Sequence, residues 1–275
     1  MRVSTTATRL VALLLATALV TGCAGRSGTN DESDDEFAGV AEQELYDEAR
    51  EALDRGRHTT AISRLEAIDT RYPFGRHAEQ AQLELIYAYY ETNDWEAARA
   101  AASRFIRLHP THPQADYALY MRGLSSWQAG RFSLERLRLI DISKRDLGAS
   151  RDAYTDFREL VSRYPDSEYA PDAEQRIVYL RNLLARHELH VADFYLRKGA
   201  YLAAVERGRW VVENYPEAEA TRDALAVMVE GYLGLDMRDR AREVLQVLIE
   251  NDPGNERLRG RTFRPQHVSA QALSA

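Results

Sequence analysis

The sequence predicts an all-α fold, a right-handed superhelical solenoid of five helix-turn-helix repeats, on the strength of two observations. Five segments close on a proline that an alanine precedes by twelve positions: Ala61 and Pro73, Ala98 and Pro110, Ala153 and Pro165, Ala204 and Pro216, Ala241 and Pro253. Five positions before the prolines lie the apolar residues Ile68, Phe105, Leu160, Val211 and Leu248. The alanine and the apolar residue are seven apart, so they share one face of a helix. This pattern of one small and one large side chain favours close packing of helix against helix.

A second helical stretch precedes each of these helices. A tyrosine lies twenty-one positions before three of the prolines, at Tyr89, Tyr195 and Tyr232. Turn residues between the paired helices are Gly56, Asn93 and Gly199. The proline then ends the second helix, because it has no N–H donor and disfavours α geometry in the residue before it. This spacing resembles the tetratricopeptide repeat (TPR), in a somewhat lengthened unit.

The repeats are predicted at about 42–73, 77–110, 114–165, 168–216 and 218–253. Repeat three carries extra residues at 131–148 (RFSLERLRLIDISKRDLG), and repeat four has a long first helix from about Tyr169 to Lys198. Insertions in a solenoid often map to the binding face, so both are candidate partner sites. A tolerated loop and a merely long helix remain the alternatives. The tail, residues 254–275, is expected to be disordered.

The N-terminus reads as an export signal, residues 1–22, with an apolar run from Leu10 to Val20 that is too short to span a membrane. Small residues before Cys23, the only cysteine, resemble the lipobox of bacterial lipoproteins. We therefore expect S-diacylglycerol and N-palmitoyl groups on Cys23 and a polar, acidic tether over residues 23–41. Ala24 follows the cysteine where an aspartate would favour retention in the inner membrane, so the resemblance to sorted lipoproteins suggests the outer membrane. The alternative is a secreted protein whose cysteine falls there by chance.

No sequence motif for catalysis or nucleic-acid binding is found. The formal net charge is −7, without the basic stripe that phosphate neutralisation needs. His187, Glu188 and His190 look like a zinc motif, but the histidines are three apart where HExxH needs four. His109 and His112 flank a turn and are interpreted as turn residues. We expect no enzyme activity, no metal, and no cofactor beyond the covalent lipid.

Several strings are more specific than a generic TPR array: RYPFG (71–75), LIYAYY (85–90), RFIRLHPTHP (104–113), DYALYMRGL (116–124), GAYLAAVERG (199–208) and ATRDAL (220–225). With the lipobox they resemble the BamD family, lipoproteins of the β-barrel assembly machinery of Gram-negative bacteria. The resemblance covers the chain to about Asn251. It implies a scaffold and substrate receptor on the periplasmic face of the outer membrane. A TPR adaptor for periplasmic hydrolases or proteases is the alternative.

The resemblance also implies partners and contact residues. The partners are the POTRA domains of BamA, other Bam lipoproteins such as BamC and BamE, unfolded outer-membrane proteins, and outer-membrane lipid through the acyl anchor. The BamA-contacting arginine of the family falls on Arg207, whose guanidinium suits an acidic partner. Tyr72 and Arg107 match positions expected to face substrate, although Tyr72 also fits a core position. Arg131, Arg136 and Arg138 make the repeat-three insertion unlike the family pattern.

Overall fold

The computed structural model describes residues 37, 39–130, 141–269 and 273–274. Ten α-helices follow one another in this part of the chain: α1 Glu42–Asp54, α2 His58–Arg71, α3 Ala78–Glu91, α4 Trp95–Leu108, α5 Ala115–Ala129, α6 Gly148–Arg163, α7 Ala170–Arg197, α8 Tyr201–Asn214, α9 Thr221–Gly234 and α10 Arg238–Asn251. A 3₁₀ turn spans Ile142–Lys144, and the strands are β1 Leu258–Arg259, β2 Thr262–Phe263 and β3 Leu273–Ser274. None of these helices is both long and apolar enough to cross a bilayer.

Each helix packs chiefly on its neighbours in the sequence, as expected of a solenoid. First helices of successive repeats also touch, α3 against α5 and α7 against α9. The described residues from Glu42 onward form one compact unit with its own buried core. The predicted all-α repeat fold is confirmed.

The residues at fixed distances before the repeat prolines belong to the core. All ten residues of the alanine and apolar positions have no exposed surface, from Ala61 and Ile68 in α2 to Ala241 and Leu248 in α10. The second helix of each repeat ends two residues before the repeat's closing proline. The residue between, such as Tyr72 or Asp252, donates its backbone N–H to the carbonyl of the buried apolar residue. Helix ending and core packing are thus fixed by the same short pattern.

The turns inside four repeats share one backbone conformation. Gly56, Asn93, Gly199 and Asp236 all lie seventeen positions before a proline and have φ between 58° and 72°. This left-handed geometry favours glycine and tolerates asparagine and aspartate, which explains these residue types. In repeat three the inserted segment takes the place of this turn, and α6 begins directly at Gly148.

The insertion is described only from Asp141 onward, so Arg131, Arg136 and Arg138 lie outside the described residues. The 3₁₀ turn packs on the 28-residue helix α7. His187 contacts this turn, with its Nδ1 2.7 Å from the carbonyl oxygen of Ser143. The end of the insertion is therefore fastened to the long first helix of repeat four.

The predicted disorder of residues 254–275 is wrong for the residues described there, 254–269 and 273–274. The three strands form an antiparallel sheet in the order β1-β2-β3, with Leu258 opposite Phe263 and Phe263 opposite Leu273. These three side chains are at most 5% exposed and pack into a cluster with residues of α9 and α10. The tail thus covers an apolar face of α9 and α10.

Glu230 on α9 anchors this tail. Its side chain has no exposed surface, and its Oε2 lies 2.6 Å from Nη1 of Arg257. Oε1 accepts from the backbone N–H groups of Gln266 (2.7 Å), His267 and Val268 (3.1 Å). Four donors on one buried carboxylate give the tail a defined path, since an uncompensated charge there would be strongly destabilising.

Candidate functional site

Arg207, the predicted BamA contact, joins the two helices of repeat four. It lies on α8 with its side chain 45% exposed, and its Nη1 is 2.8 Å from Oε2 of Glu188 on α7, which is 7% exposed. A buried carboxylate needs this cation, so Arg207 has a structural task that the sequence did not reveal. The guanidinium carries five N–H donors, and the remaining ones are available to an outside carboxylate.

An exposed indole accompanies Arg207 on α8. Trp210 lies three residues further along, a neighbouring position on a helix surface, and is 50% exposed. Arg209 faces another side of the helix, where it donates to the hydroxyl of Tyr232 (3.1 Å) and pairs with Glu206 (3.1 Å). The Arg207 face thus combines a fixed cation with an apolar ring, a combination common at the centre of protein interfaces.

The zinc-like motif separates in space. Glu188 turns to Arg207, whereas His187 binds the Ser143 carbonyl and His190 approaches Asp141 with Nε2 3.5 Å from Oδ2. Burial lowers the pKa of His190, an effect that Asp141 opposes. Within the described residues, no group of three or more His, Cys, Asp or Glu side chains could hold a metal ion. Each member of the motif therefore has a structural partner.

Tyr72 and Arg107, the predicted substrate contacts, lie where second helices of successive repeats end. Tyr72 follows α2 and is half-buried, and Arg107 lies exposed in the last turn of α4. A polar network connects the two helix ends: Asp69 pairs with Arg104 and accepts from Nε2 of Gln82 (2.9 Å). We call the surface at the C-terminal ends of α2 and α4 the α2/α4 edge. Tyr72 lies three repeats before Arg207, and Arg107 lies two repeats before it.

The loop between α2 and α3 presents Phe74, whose side chain is 99% exposed. The loop is held from both sides, because the Gly75 N–H donates to the Tyr72 carbonyl (2.8 Å) and the His77 N–H donates to Glu42 Oε1 (2.6 Å). The His77 ring also stacks on Tyr46 at 4.3 Å. A fully exposed phenyl ring on a fixed loop is a candidate contact for an apolar partner.

The first helices α1, α3 and α5 line a cavity of about 300 Å³. Glu84, 6% exposed, lines it, and its Oε1 accepts from Tyr46 (3.0 Å), Arg50 (2.8 Å) and Gln80 (3.0 Å). Its Oε2 is buried without a hydrogen-bond partner among the described residues. Burial, and then Glu84, raise the pKa of Tyr46 to about 12.

Comparison with known proteins gives the family. The YfiO family, described as an outer membrane lipoprotein, matches residues 39–248. A Vibrio cholerae protein named outer membrane protein assembly factor BamD is 43% identical over 237 residues, which cover 85% of this chain and 95% of that protein. The chain belongs to the BamD family of outer-membrane lipoproteins. The family recognised from the sequence strings is thereby confirmed.

Other BamD-family relatives match over similar lengths. The Xylella fastidiosa assembly factor is 37% identical, covering 93% of this chain and 86% of its own. The Neisseria gonorrhoeae one is 37% identical, covering 88% and 91%. Among solved structures, the crystal structure of MamA protein covers 77% of this chain and 92% of its own, at 15% identity and a TM-score of 0.34. A similarity that low carries no argument about function.

The BamD-family sequence strings did not reveal every candidate contact. Trp210 was missed because an apolar residue in an amphipathic helix is expected to be buried. Phe74 lies within the string RYPFG, where only Tyr72 was predicted as a contact. Their positions gave a weak signal: Phe74 lies outside any helix, and Trp210 is one residue before the buried Val211. Cys23 and the acidic run Asp31–Glu36 lie outside the described residues.

Proposed function

We propose that this chain is a non-enzymatic scaffold and substrate receptor of the outer-membrane protein assembly complex. The observation that carries the proposal is its similarity to assembly factors named BamD over most of both chains. The Arg207 face of α8 would dock the POTRA domains of BamA. The α2/α4 edge would receive unfolded outer-membrane proteins.

The Arg207 face supports docking to an acidic partner. Glu188 holds one end of the guanidinium in place, so little side-chain entropy is lost when the other donors bind a carboxylate. Trp210 adds apolar contact area next to the cation. Arginine and tryptophan are the residue types that most often dominate binding energy at interfaces.

The α2/α4 edge supports recognition of a chain end that carries an aromatic ring and a carboxylate. The exposed Arg107 would pair with the carboxylate, and Tyr72 would meet the aromatic ring. We add Phe74 to this receptor, since it is fully exposed beside Tyr72. The rigid loop reduces the entropy lost on binding.

The anchor and the remaining partners rest on the sequence. Cys23 would carry the diacylglycerol and palmitoyl groups that hold the chain on the periplasmic face of the outer membrane, and two or more acyl chains anchor a protein stably. BamC and BamE would bind this chain within the same complex. Replacing Cys23 by serine should release the protein from the outer-membrane fraction, and continued retention there would contradict the lipid anchor.

Docking through Arg207 is tested by BamA capture from solubilised envelopes. Reversing the charge with Arg207→Glu would place a second carboxylate beside the buried Glu188, so loss of capture could reflect misfolding. The informative variant is the double change Arg207→Gln with Glu188→Gln, which leaves no unpaired buried charge. We expect it to stay folded and to lose BamA affinity at least about tenfold.

One single change serves as the control for this experiment. Arg209→Gln removes a similarly exposed cation from another side of α8 and should leave capture unchanged. Thermal unfolding and circular dichroism of every variant establish that the fold persists. If the folded double variant still captures BamA as well as the wild type, Arg207 is not the docking contact.

The substrate edge is tested by photo-crosslinking to a peptide that ends in an aromatic residue and a free carboxylate. Tyr72→Ala and Arg107→Gln should each reduce crosslinking several-fold. Tyr164 occupies the position of Tyr72 in repeat three, so Tyr164→Ala is the matched control. Equal losses in Tyr72→Ala and Tyr164→Ala would mean that the loss is structural and that the edge is not the receptor.

A further inference from the structure

The ordered tail concentrates positive charge on an acidic protein. Residues 255–275 contain four arginines and one glutamate, a net charge of +3, whereas the whole chain carries −7. The rest of the chain therefore carries −10. One of the four, Arg257, is used internally by Glu230, and Arg259, Arg261 and Arg264 are exposed. Positive charge is thus concentrated in the β1–β2 hairpin.

These three arginines are unpaired within the described chain. No carboxylate there lies within ion-pair distance of any of them, although one Nη of Arg259 donates to the carbonyl of Leu258 (3.2 Å). By contrast, the exposed arginines of neighbouring α10 are paired with carboxylates: Arg238 with Asp236, Arg240 with Glu243, and Arg242 with Asp239. The hairpin arginines therefore keep donors for an outside anion.

The hairpin holds these arginines on a fixed frame. Side chains alternate along a strand, so Leu258 and Phe263 enter the core while Arg259 and Thr262 point the other way. Arg261 lies in the turn after Gly260, and Arg264 donates its backbone N–H to the Arg257 carbonyl (2.9 Å). Glu230 fixes the base of the hairpin through its bonds to Arg257 and to the Gln266 N–H.

The outer face suits a surface of anionic headgroups better than a protein. Over residues 258–264 and 273–274 its exposed residues are arginine, glycine and serine, with the half-buried Thr262 among them, and the leucines and phenylalanine there are buried. Glu256 and Gln266, just outside the hairpin, are also exposed. Protein interfaces usually need an apolar or aromatic anchor, which this face does not offer. An anionic lipid surface needs only charge, and arginine forks match phosphate oxygens.

We propose that the hairpin arginines Arg259, Arg261 and Arg264 bind the phosphate groups of anionic phospholipids at the membrane surface. The family of outer-membrane lipoproteins to which the chain belongs works next to such a surface. The hairpin lies at the last repeat, so it gives the solenoid a contact with the membrane far along the chain from its N-terminus. This surface is independent of the Arg207 face and of the α2/α4 edge.

The test is sedimentation of the chain from residue 24 onward with lipid vesicles, which removes the acyl anchor and keeps the compact unit of residues 42–275 intact. Vesicles of phosphatidylcholine alone are compared with vesicles that also contain phosphatidylglycerol. We expect binding only to the second kind, weakening as NaCl is raised. The triple variant Arg259→Gln, Arg261→Gln, Arg264→Gln should bind roughly a hundredfold more weakly, about fivefold per arginine.

The matched control is Arg238→Gln, Arg240→Gln, Arg242→Gln, which removes the same charge from the adjacent helix and should leave binding almost unchanged. Equal losses in the two triple variants would show a net-charge effect and overturn the proposal. The proposal is also overturned if the wild-type protein does not bind the phosphatidylglycerol vesicles. Stronger binding to soluble polyglutamate than to these vesicles would overturn it as well, because it would point to an acidic protein partner.

Discussion

The two ends of the solenoid each contain a buried glutamate, and the two are completed differently. Glu230 in the last repeat has donors on both carboxylate oxygens, one from Arg257 and three from the backbone of the tail. Glu84 near the first repeat has three donors on Oε1 and none on Oε2 within the described residues. Its cationic partner Arg50 is 48% exposed, whereas Arg257 is 10% exposed.

The C-terminal end of the described solenoid is closed, and the N-terminal end is open. At the C-terminal end the tail supplies both the apolar cover and the polar donors, so the last repeat is capped. At the N-terminal end the glutamate lines an open cavity, and a fully exposed phenylalanine lies on the loop nearby. The closed end should therefore contribute stability, and the open end should contribute binding.

Removing residues 255–275 gives the largest expected effect. The deletion uncovers the apolar face of α9 and α10 and leaves Glu230 without its four donors. Three buried side chains at about 2 kcal/mol each and one orphaned charge predict a loss of more than about 5 kcal/mol. Urea unfolding measures it. An unchanged unfolding midpoint would show that the tail is not a cap.

Two phenylalanines give a matched comparison of the ends. Phe263→Ala, at a position with no exposed surface, should destabilise the protein by about 3–5 kcal/mol. Phe74→Ala, at a position 99% exposed, should change stability by less than about 0.5 kcal/mol. We expect the opposite order for peptide crosslinking, which Phe74→Ala should weaken and Phe263→Ala should spare at temperatures where it is folded. Equal effects of the two changes on both measurements would contradict the division of roles.

The two buried glutamates should differ in how much a change to glutamine costs. Either orientation of the amide in Glu230→Gln sets a donor against a donor, so we expect a loss of about 3 kcal/mol. In Glu84→Gln the amide nitrogen can take the place of the unpartnered Oε2, which leaves the three bonds to Oε1 intact. The loss should be only about 1 kcal/mol. Chemical denaturation of both variants measures these losses in the free energy of unfolding. A larger loss for Glu84→Gln than for Glu230→Gln would contradict the closed C-terminal end and the open N-terminal end.

Glu84→Gln also has a spectroscopic outcome, the smallest of these effects. Burial and then Glu84 raise the pKa of Tyr46 to about 12. Without the carboxylate this pKa should fall, yet it should stay above the ordinary value, because burial is the larger cause and remains. Titration of ¹³C-labelled tyrosine by NMR follows Tyr46. An unchanged pKa of Tyr46 would mean that the Glu84 carboxylate does not interact with the Tyr46 hydroxyl.

The repeat register could be predicted from the sequence, because the signals that set it lie within a single repeat. Helix period, the left-handed turn residues and the closing prolines act within one repeat, so Ala61 and Ile68 could be assigned to the core before any packing was known. The resemblance of the strings to the BamD family predicts Arg207, Tyr72 and Arg107 as contacts. These residues lie on α8, at the end of α2 and on α4.

The burial of the tail and the partners of the buried carboxylates depend on tertiary packing and could not be predicted from the sequence. Strands of two residues have no period of their own, so nothing local showed that Leu258, Phe263 and Leu273 would be buried. They are buried because α9 and α10 leave an apolar face uncovered. The pairs Glu188–Arg207 and Glu230–Arg257 join residues 19 and 27 positions apart, distances over which no local pattern acts and which only the folded solenoid brings together.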